Sequence, residues 1–379
     1  MSGRHCCLWC TVTKEQMRVP LDQRGPCPLR SLDTIRDDLK KFQDNGARPS
    51  TAKEFHNVID EPLFDIPLNQ VCPPGLHISL GLFLKHFNSF EAACHILDMK
   101  IARQVGETPD GSTRNFQDAV DVFTKARKKD EEADSLDDGA NLMLEHLVSV
   151  HDPEQAAIYH QTIQEHLRER DKLHQEAKSM RDKINLPKEN GPLVRQLDKT
   201  LQTFRVSRQA YHGKSFVGNH VHRCCKKENI DRLMSSVVDA TKTLCPDLVG
   251  EAEIITAKYY TLFRLFGTCN KQYNTAGILT EEDTEGLDST IKAYLDYFRE
   301  KFPSETVPPK MHILEDHVMP FIRKWKVGLG YLGEQGVESV HARLNSIRHN
   351  IRGLKDDLAI LQSTVVTHWV QTRPGAHPS

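Results

Sequence analysis

The sequence predicts a mainly α-helical protein. Two observations carry this: apolar residues recur at spacings of three and four over several long stretches, and little of the chain shows the alternation of a β-sheet. No internal repeat is present. At 379 residues the chain is long enough for two or three packed units, because a single hydrophobic core stops growing at roughly 250–300 residues. Three segments are expected: a loop-rich zinc-knuckle segment at 1–76, a helical domain at 77–310, and C-terminal helices at 311–379.

Segment 1–75 is dense in punctuation, including Pro20, Gly25, Pro26, Pro28, Gly46, Pro49 and the run Cys72-Pro73-Pro74-Gly75. Short elements are expected there, with one helix near 31–42. From His77 the pattern becomes helical, since Ile78, Leu82, Phe83, His86, Phe87 and Phe90 recur at three and four, and it continues past Cys94. The stretch 128–138 is crowded with Lys, Asp and Glu and is expected to be a solvated turn or loose linker. Between Pro153 and Pro187, Tyr159, Ile163, His166, Arg170, Leu173, Ala177, Met180 and Ile184 alternate steps of four and three, the seam of a long coiled-coil-like helix. A turn at 186–192 and a second helix to about 209 then make a hairpin over about 153–210. Two uses fit that seam: an arm folded within one chain, or a dimerising coiled coil. Further helices are expected at 227–243, 251–266 and 285–302.

Charge and composition narrow the function classes. Lys and Arg total 50 against 52 Asp and Glu, so the whole-chain balance does not announce a nucleic-acid binder, and any basic surface must be local. No apolar stretch of about 18 residues occurs, and the first ten residues lack the pattern of a secretion signal, so the chain is expected to be intracellular and not membrane-spanning. Ten cysteines in that setting point to thiols or metal ligands rather than a disulfide framework.

Their spacing singles out Cys7 and Cys10, in Cys7-Leu8-Trp9-Cys10, as a zinc-knuckle pair. Roughly 300 residues downstream, His312 and His317 form His-x4-His, also within zinc-ligand spacing. On an ideal α-helix two residues five apart point about 140° from each other, so one histidine is expected at a helix end or on a loop. Closing so long a loop costs on the order of 5 kcal/mol, whereas structural zinc in finger peptides contributes about 10–16 kcal/mol. A long-range zinc clamp is therefore affordable. Spacing alone leaves the alternative of a small exposed thiol pair and two histidines satisfied by hydrogen bonds. The neighbouring Cys224 and Cys225, beside His220 and His222, are a poorer pair, because adjacent cysteines seldom ligate one ion with good geometry.

After the glycines at 328, 330 and 333, segment 334–352 divides into two faces. Val337, Val340, Leu344, Ile347 and Ile351 form an apolar stripe, and Glu338, His341, Asn345, Arg348 and Arg352 a polar one. A carboxylate there suits a divalent cation and the guanidiniums suit phosphates; an ordinary solvated helix face fits the same pattern.

Several motifs occur together in a fixed order: Cys7-x2-Cys10; Val71-Cys72-Pro73-Pro74-Gly75-Leu76-His77-Ile78-Ser79-Leu80-Gly81; Tyr211-His212-Gly213-Lys214-Ser215-Phe216-Val217-Gly218-Asn219; His312-x4-His317; Glu338-Ser339; and His368-Trp369. In this order they resemble the C-terminal catalytic half of the V(D)J recombinase catalytic subunit and the Transib-like transposases. The resemblance spans most of the chain, although each motif is short.

It implies a zinc-clamped helical insertion domain followed by the terminal helix of an incomplete RNase H-like core. Cys7, Cys10, His312 and His317 would be the ligands of a structural zinc. The family's third catalytic acid falls on Glu338, with Glu334 as the fallback because the family's preceding acid is offset by one residue here. The 213–219 loop, including Lys214 and Asn219, would face duplex DNA, with Arg343, Arg348 and Arg352 near phosphates, in a nuclear protein. The family's first two aspartates precede the Cys-x2-Cys motif, whereas Asp22, Asp33, Asp37, Asp38, Asp60 and Asp65 all follow it. One carboxylate cannot hold two divalent ions. The expectation is thus a DNA-recombinase-type module, catalytically incomplete alone. It would take Mg or Mn only if a second copy, a partner or a longer product supplied the missing aspartates. The other function class is a non-catalytic helical scaffold that binds a partner through the 153–210 hairpin.

Overall fold

The structure, a computed structural model, describes residues 5–62, 64–105, 116–147, 150, 152–183, 191–208, 216–333, 335–351 and 356–372. Among them no strand occurs, and β pairing is confined to the isolated bridges Cys10–Leu29 and Ile278–Val327. The α-helices are α1 (Leu21–Arg24), α2 (Leu32–Asp44), α3 (Gly75–Val105), α4 (Phe116–Leu147), α5 (Pro153–Lys183), α6 (Pro192–Thr203), α7 (Gly218–Cys224), α8 (Lys227–Leu244), α9 (Val249–Tyr273), α10 (Glu281–Lys301), α11 (Pro309–Ile313), α12 (Met319–Trp325), α13 (Gln335–Asn350) and α14 (Asp357–Thr372). A π-helical turn, Leu314–Val318, joins α11 to α12. No described helix is long and apolar enough to cross a membrane.

The core forms around α3, which starts after the Pro73-Pro74 break and runs 31 residues, or about 46 Å. Ile78, Leu82, Phe83, Phe87, Phe90, Cys94, Leu97 and Ile101 are buried along it. Phe263 and Phe266 of α9 and Tyr294 and Phe298 of α10 complete an aromatic interior, each large side chain contributing about 1.5–3 kcal/mol by leaving water. Local signals set the ends of these helices. Ser31 and Thr34 form a reciprocal capping box at α2, and Thr280 and Asp283 do the same at α10. At α6 the cap comes from another helix, where the Asp98 carboxylate of α3 accepts the Leu193 and Val194 N–H groups at 2.9 and 3.2 Å. Beyond α12 the chain lies flat on the end of α9. A Cβ at Gly328 or Gly330 would sit 2.1 Å from the carbonyl oxygen of Thr275 or Asn274.

Two expectations about the middle of the chain need correction. Residues 128–138 are not a linker; they lie inside α4. Ala119, Ala126, Ala133 and Ala140 recur every seventh residue and are all buried, so the charges occupy the outer face of a narrow alanine seam that a count of charges overlooks. The long hairpin is also paired differently. α5 runs antiparallel to α4, with Lys129 on Glu176 at 2.6 Å, Asp130 on His174 at 3.0 Å and Asp137 on Arg170 at 2.5 Å, while α6 packs on α3 and α8. Arg170 thus crosses the seam to a carboxylate. Most of the expected 186–192 turn lies outside the described residues.

One buried ion cluster fastens the arm to the body. The Glu305 carboxylate accepts from Arg127 of α4 at 2.8 Å, from Ser89 of α3 at 3.0 Å and from Lys85 of α3 at 3.2 Å. At the C-terminus, α13 and α14 pair with each other and bury Ile347 and Thr364. Trp369 is 62 % exposed, and Leu358, Leu361 and Val365 are exposed on the same helix.

Burial alone would raise the Glu305 pKa, but Lys85 and Arg127 outweigh it and hold the carboxyl at about 2. Its contribution to stability is therefore complete above its ordinary value of 4.5 and is lost as pH falls from there towards 2. Glu305→Gln should cost about 2–4 kcal/mol at neutral pH, because it strands two partly buried cations. It should also flatten the acid limb between those values. Urea denaturation of both proteins from pH 6 to 2.5 checks this; parallel curves would refute it.

Candidate metal centre

The N-terminal half of the site is a short antiparallel clasp. The Thr11 N–H donates to the Pro28 carbonyl at 3.0 Å and the Arg30 N–H to the Trp9 carbonyl at 2.8 Å. Arg30 Nε donates to the Cys10 carbonyl at 3.0 Å, which pins the knuckle from outside. This turn directs Cys7 and Cys10 inward and leaves Leu8 exposed.

The C-terminal half rests on α3 and α10. Pro308 and Pro309 open α11, and the π-turn follows. One histidine was expected at a helix end or on a loop; His312 lies in the last turn of α11, and the chain continues through the π-turn, which carries His317, rather than entering a loop. A π-turn closes its hydrogen bond from i to i+5, so His312 and His317 return to one side. Pro320 gives a local reason. It lacks the N–H that an α-helix would donate to the Asp316 carbonyl, and its ring crowds that carbonyl.

The two halves meet. Cys7 Sγ lies 3.3 Å from His317 Nε2, Cys10 Sγ lies 3.2 Å from His312 Nε2, and the two Nε2 atoms are 3.2 Å apart. All four ligand atoms fall within 4.8 Å of one another, and all four residues are buried. Among the described residues this is the one group of three or more such side chains that could hold a metal ion; Cys224, Cys225, His220 and His222 do not form a second.

Protons on the ligand set are unevenly held. The hydrogen bond between the two thiols lowers the Cys7 pKa and raises that of Cys10, while burial pushes both upward. Burial would lower the His312 pKa, but Asp316 and Cys10 outweigh it and raise it to about 9.

Several contributors were not evident from the sequence. Asp316 Oδ1 is 3.0 Å from His312 Nδ1, and Arg24 Nη2 is 2.5 Å from the same oxygen. Glu315 accepts the Leu21 N–H at 3.1 Å and both Arg299 Nη groups at 2.9 and 2.7 Å. Trp9 stacks on His317, with ring centres 5.5 Å apart. The sequence does place Asp316 four residues after His312, a spacing at which helical side chains meet; nothing in it points to Arg24.

None of the remaining candidates among the described residues belongs to this cluster. Asn219 is exposed on α7, and Arg343 and Arg348 are exposed on α13. Glu338 belongs to α13, but its side chain lies outside the described residues, as do Lys214, Glu334 and Arg352.

A metal entering this site must displace protons from two thiols and His312. Metal affinity should therefore be weaker at pH 6 than at pH 8, with proton release detectable in weakly buffered titrations; equal affinity without proton release would contradict the ligand assignment. No protein-family model matches this chain, and no curated protein matches it.

Proposed function

We propose that the Cys7, Cys10, His312 and His317 cluster holds a structural zinc ion, and that this clamp organises a DNA-binding module derived from the recombinase and transposase family that the motifs resemble. The reading rests on one observation, the convergence of ligand atoms 302 and 310 positions apart in sequence. Thiolate and imidazole suit zinc, and hard cations such as Mg or Ca prefer oxygen. Bonds of about 2.3 Å to sulfur and about 2.05 Å to nitrogen, set tetrahedrally, put nitrogen atoms about 3.3 Å and sulfur–nitrogen pairs about 3.6 Å apart. The observed 3.2 Å and 3.2–3.3 Å lie slightly inside those values, so a small outward relaxation admits the ion. Four protein ligands leave no open position for substrate, which favours a structural role over a hydrolytic one.

In this reading zinc ties the knuckle to the segment that leads into α13 and α14. The resemblance assigns Glu338, or Glu334, as the remaining catalytic acid, and Lys214, Asn219, Arg343, Arg348 and Arg352 to duplex DNA in a nuclear protein. This sequence supplies one of the family's three acids. Strand cleavage with Mg or Mn is therefore proposed only for an assembly or longer product that brings the other two and the rest of an RNase H-like core. The exposed apolar side chains of α14 favour a second reading, a helical scaffold that binds a protein partner.

Purified protein should carry about one zinc per chain. A Cys7→Ser, His317→Ala double variant should lose it and about 5 kcal/mol or more of stability, the excess of zinc binding over loop closure. Zinc-loaded protein should bind duplex DNA with an affinity that falls steeply with salt, because phosphate contacts release counterions. Zinc-loaded protein with absent or salt-insensitive DNA binding would favour the scaffold.

A further inference from the structure

We propose that Asp316, steadied by Arg24, is the positioning residue that makes His312 a metal ligand through Nε2. The inference rests on the zinc reading and deepens it. A neutral imidazole carries one N–H, so a ring that ligates through Nε2 must keep its proton on Nδ1, and something must accept that proton. The His312 ring is oriented for this arrangement. Its Nε2 faces Cys10 Sγ and His317 Nε2, both at 3.2 Å, and its Nδ1 lies 3.0 Å from Asp316 Oδ1 and 3.5 Å from Arg24 Nη2.

Asp316 is itself held. Arg24 Nη2 reaches Oδ1 at 2.5 Å, and the two side chains are 6 % and 5 % exposed. The guanidinium is fixed in turn, with Nε donating to the Val19 carbonyl and Nη1 to the Gly25 carbonyl, each at 3.0 Å. Charge balance supports the pairing. Zinc with two thiolates and two neutral imidazoles is neutral, and Arg24 with Asp316 is neutral, so the buried assembly carries no net charge that water would have to solvate.

The adjacent carboxylate has a different task. Glu315 accepts from the Leu21 backbone and from Arg299, and so fastens the 19–30 loop to the π-turn without a hydrogen bond to either histidine. His317 has Trp9 stacked against its ring. The π-turn thus carries one carboxylate that holds the loop and a second that orients a ligand.

The test compares the full zinc-loaded chain with Asp316→Ala, Asp316→Asn and Glu315→Gln. Zinc affinity is read by chelator competition, the rate of zinc transfer to chelator is followed, and the visible spectrum of the cobalt-substituted protein reports coordination. Asp316→Ala should keep one site per chain but lose about 10–100-fold in affinity, the range for removing a histidine's outer partner. It should also release zinc faster and alter the cobalt bands. Asp316→Asn keeps the shape and an acceptor but removes the charge, so a smaller loss in the same direction is expected; it carries the test if the alanine variant does not fold. Glu315→Gln, which touches neither histidine but lies 3.8 Å from Arg24, should lower the urea midpoint and leave the cobalt bands unchanged, with a smaller loss of affinity than Asp316→Ala. Asp316 variants that bind and release zinc like the unaltered chain would overturn the assignment and leave the zinc site standing. An unaltered chain that takes up no zinc would overturn both.

Discussion

The structure depends on the meeting of side chains 302 and 310 positions apart in the sequence. Cys7 and Cys10 lie on a short clasp whose Trp9, Val12 and Met17 are buried in the main core, and His312 and His317 lie on a helix that packs on α3 and α10. Everything between must return the chain to within a few ångströms of its start. The cost of that return is modest, because loop-closure entropy grows only with the logarithm of length. The return is also largely prepared by packing. α9 runs back along α3, α10 turns again antiparallel to α9, and α11 rests on α3, so the C-terminal members of the cluster are carried on packed helices. A metal at the junction would lock a geometry that the helices have nearly built.

Electrostatics fasten the same junction a second time. Arg24 and Leu21 reach from the N-terminal loop to the adjacent carboxylates Asp316 and Glu315, and Arg299 of α10 completes the set. Farther away, Glu305 ties the charged arm to α3 by the same means, an acid held by cations from elements that are not neighbours in sequence. Two layers of attachment follow: apolar burial fixes where helices lie, and a few buried ion pairs fix what they carry.

Much of this was readable from residue pattern, for reasons that also explain the failures. The helices at 31–42, 227–243 and 285–302 emerged close to their observed bounds, and that at 251–266 stopped seven residues short of the end of α9, because large apolar residues at three-and-four spacing mark a buried face. α4 was missed between 128 and 138 because its buried face is made of alanines, which are too small to stand out among Lys, Asp and Glu. The partner of α5 was misassigned because a seam reveals that a helix is half-buried and says nothing of which helix covers it. At the metal centre, spacing singled out the four side chains that converge and left open whether they share an ion, and the π-turn accommodates the five-residue separation of the two histidines. Pro320 was the available signal for that turn. Arg24 left no comparable trace, since an arginine in a Pro- and Gly-rich loop has no periodicity.

The central claim is that one zinc ion is bound by two sulfur and two nitrogen atoms from segments about 300 residues apart in this chain. X-ray absorption at the zinc edge of the purified protein tests it most directly. The account predicts a four-coordinate shell with two sulfur atoms at about 2.3 Å and two imidazole nitrogens at about 2.05 Å, and loss of that signature in the Cys7→Ser, His317→Ala protein. A shell of four sulfurs, an oxygen-dominated shell, or no bound zinc would contradict it.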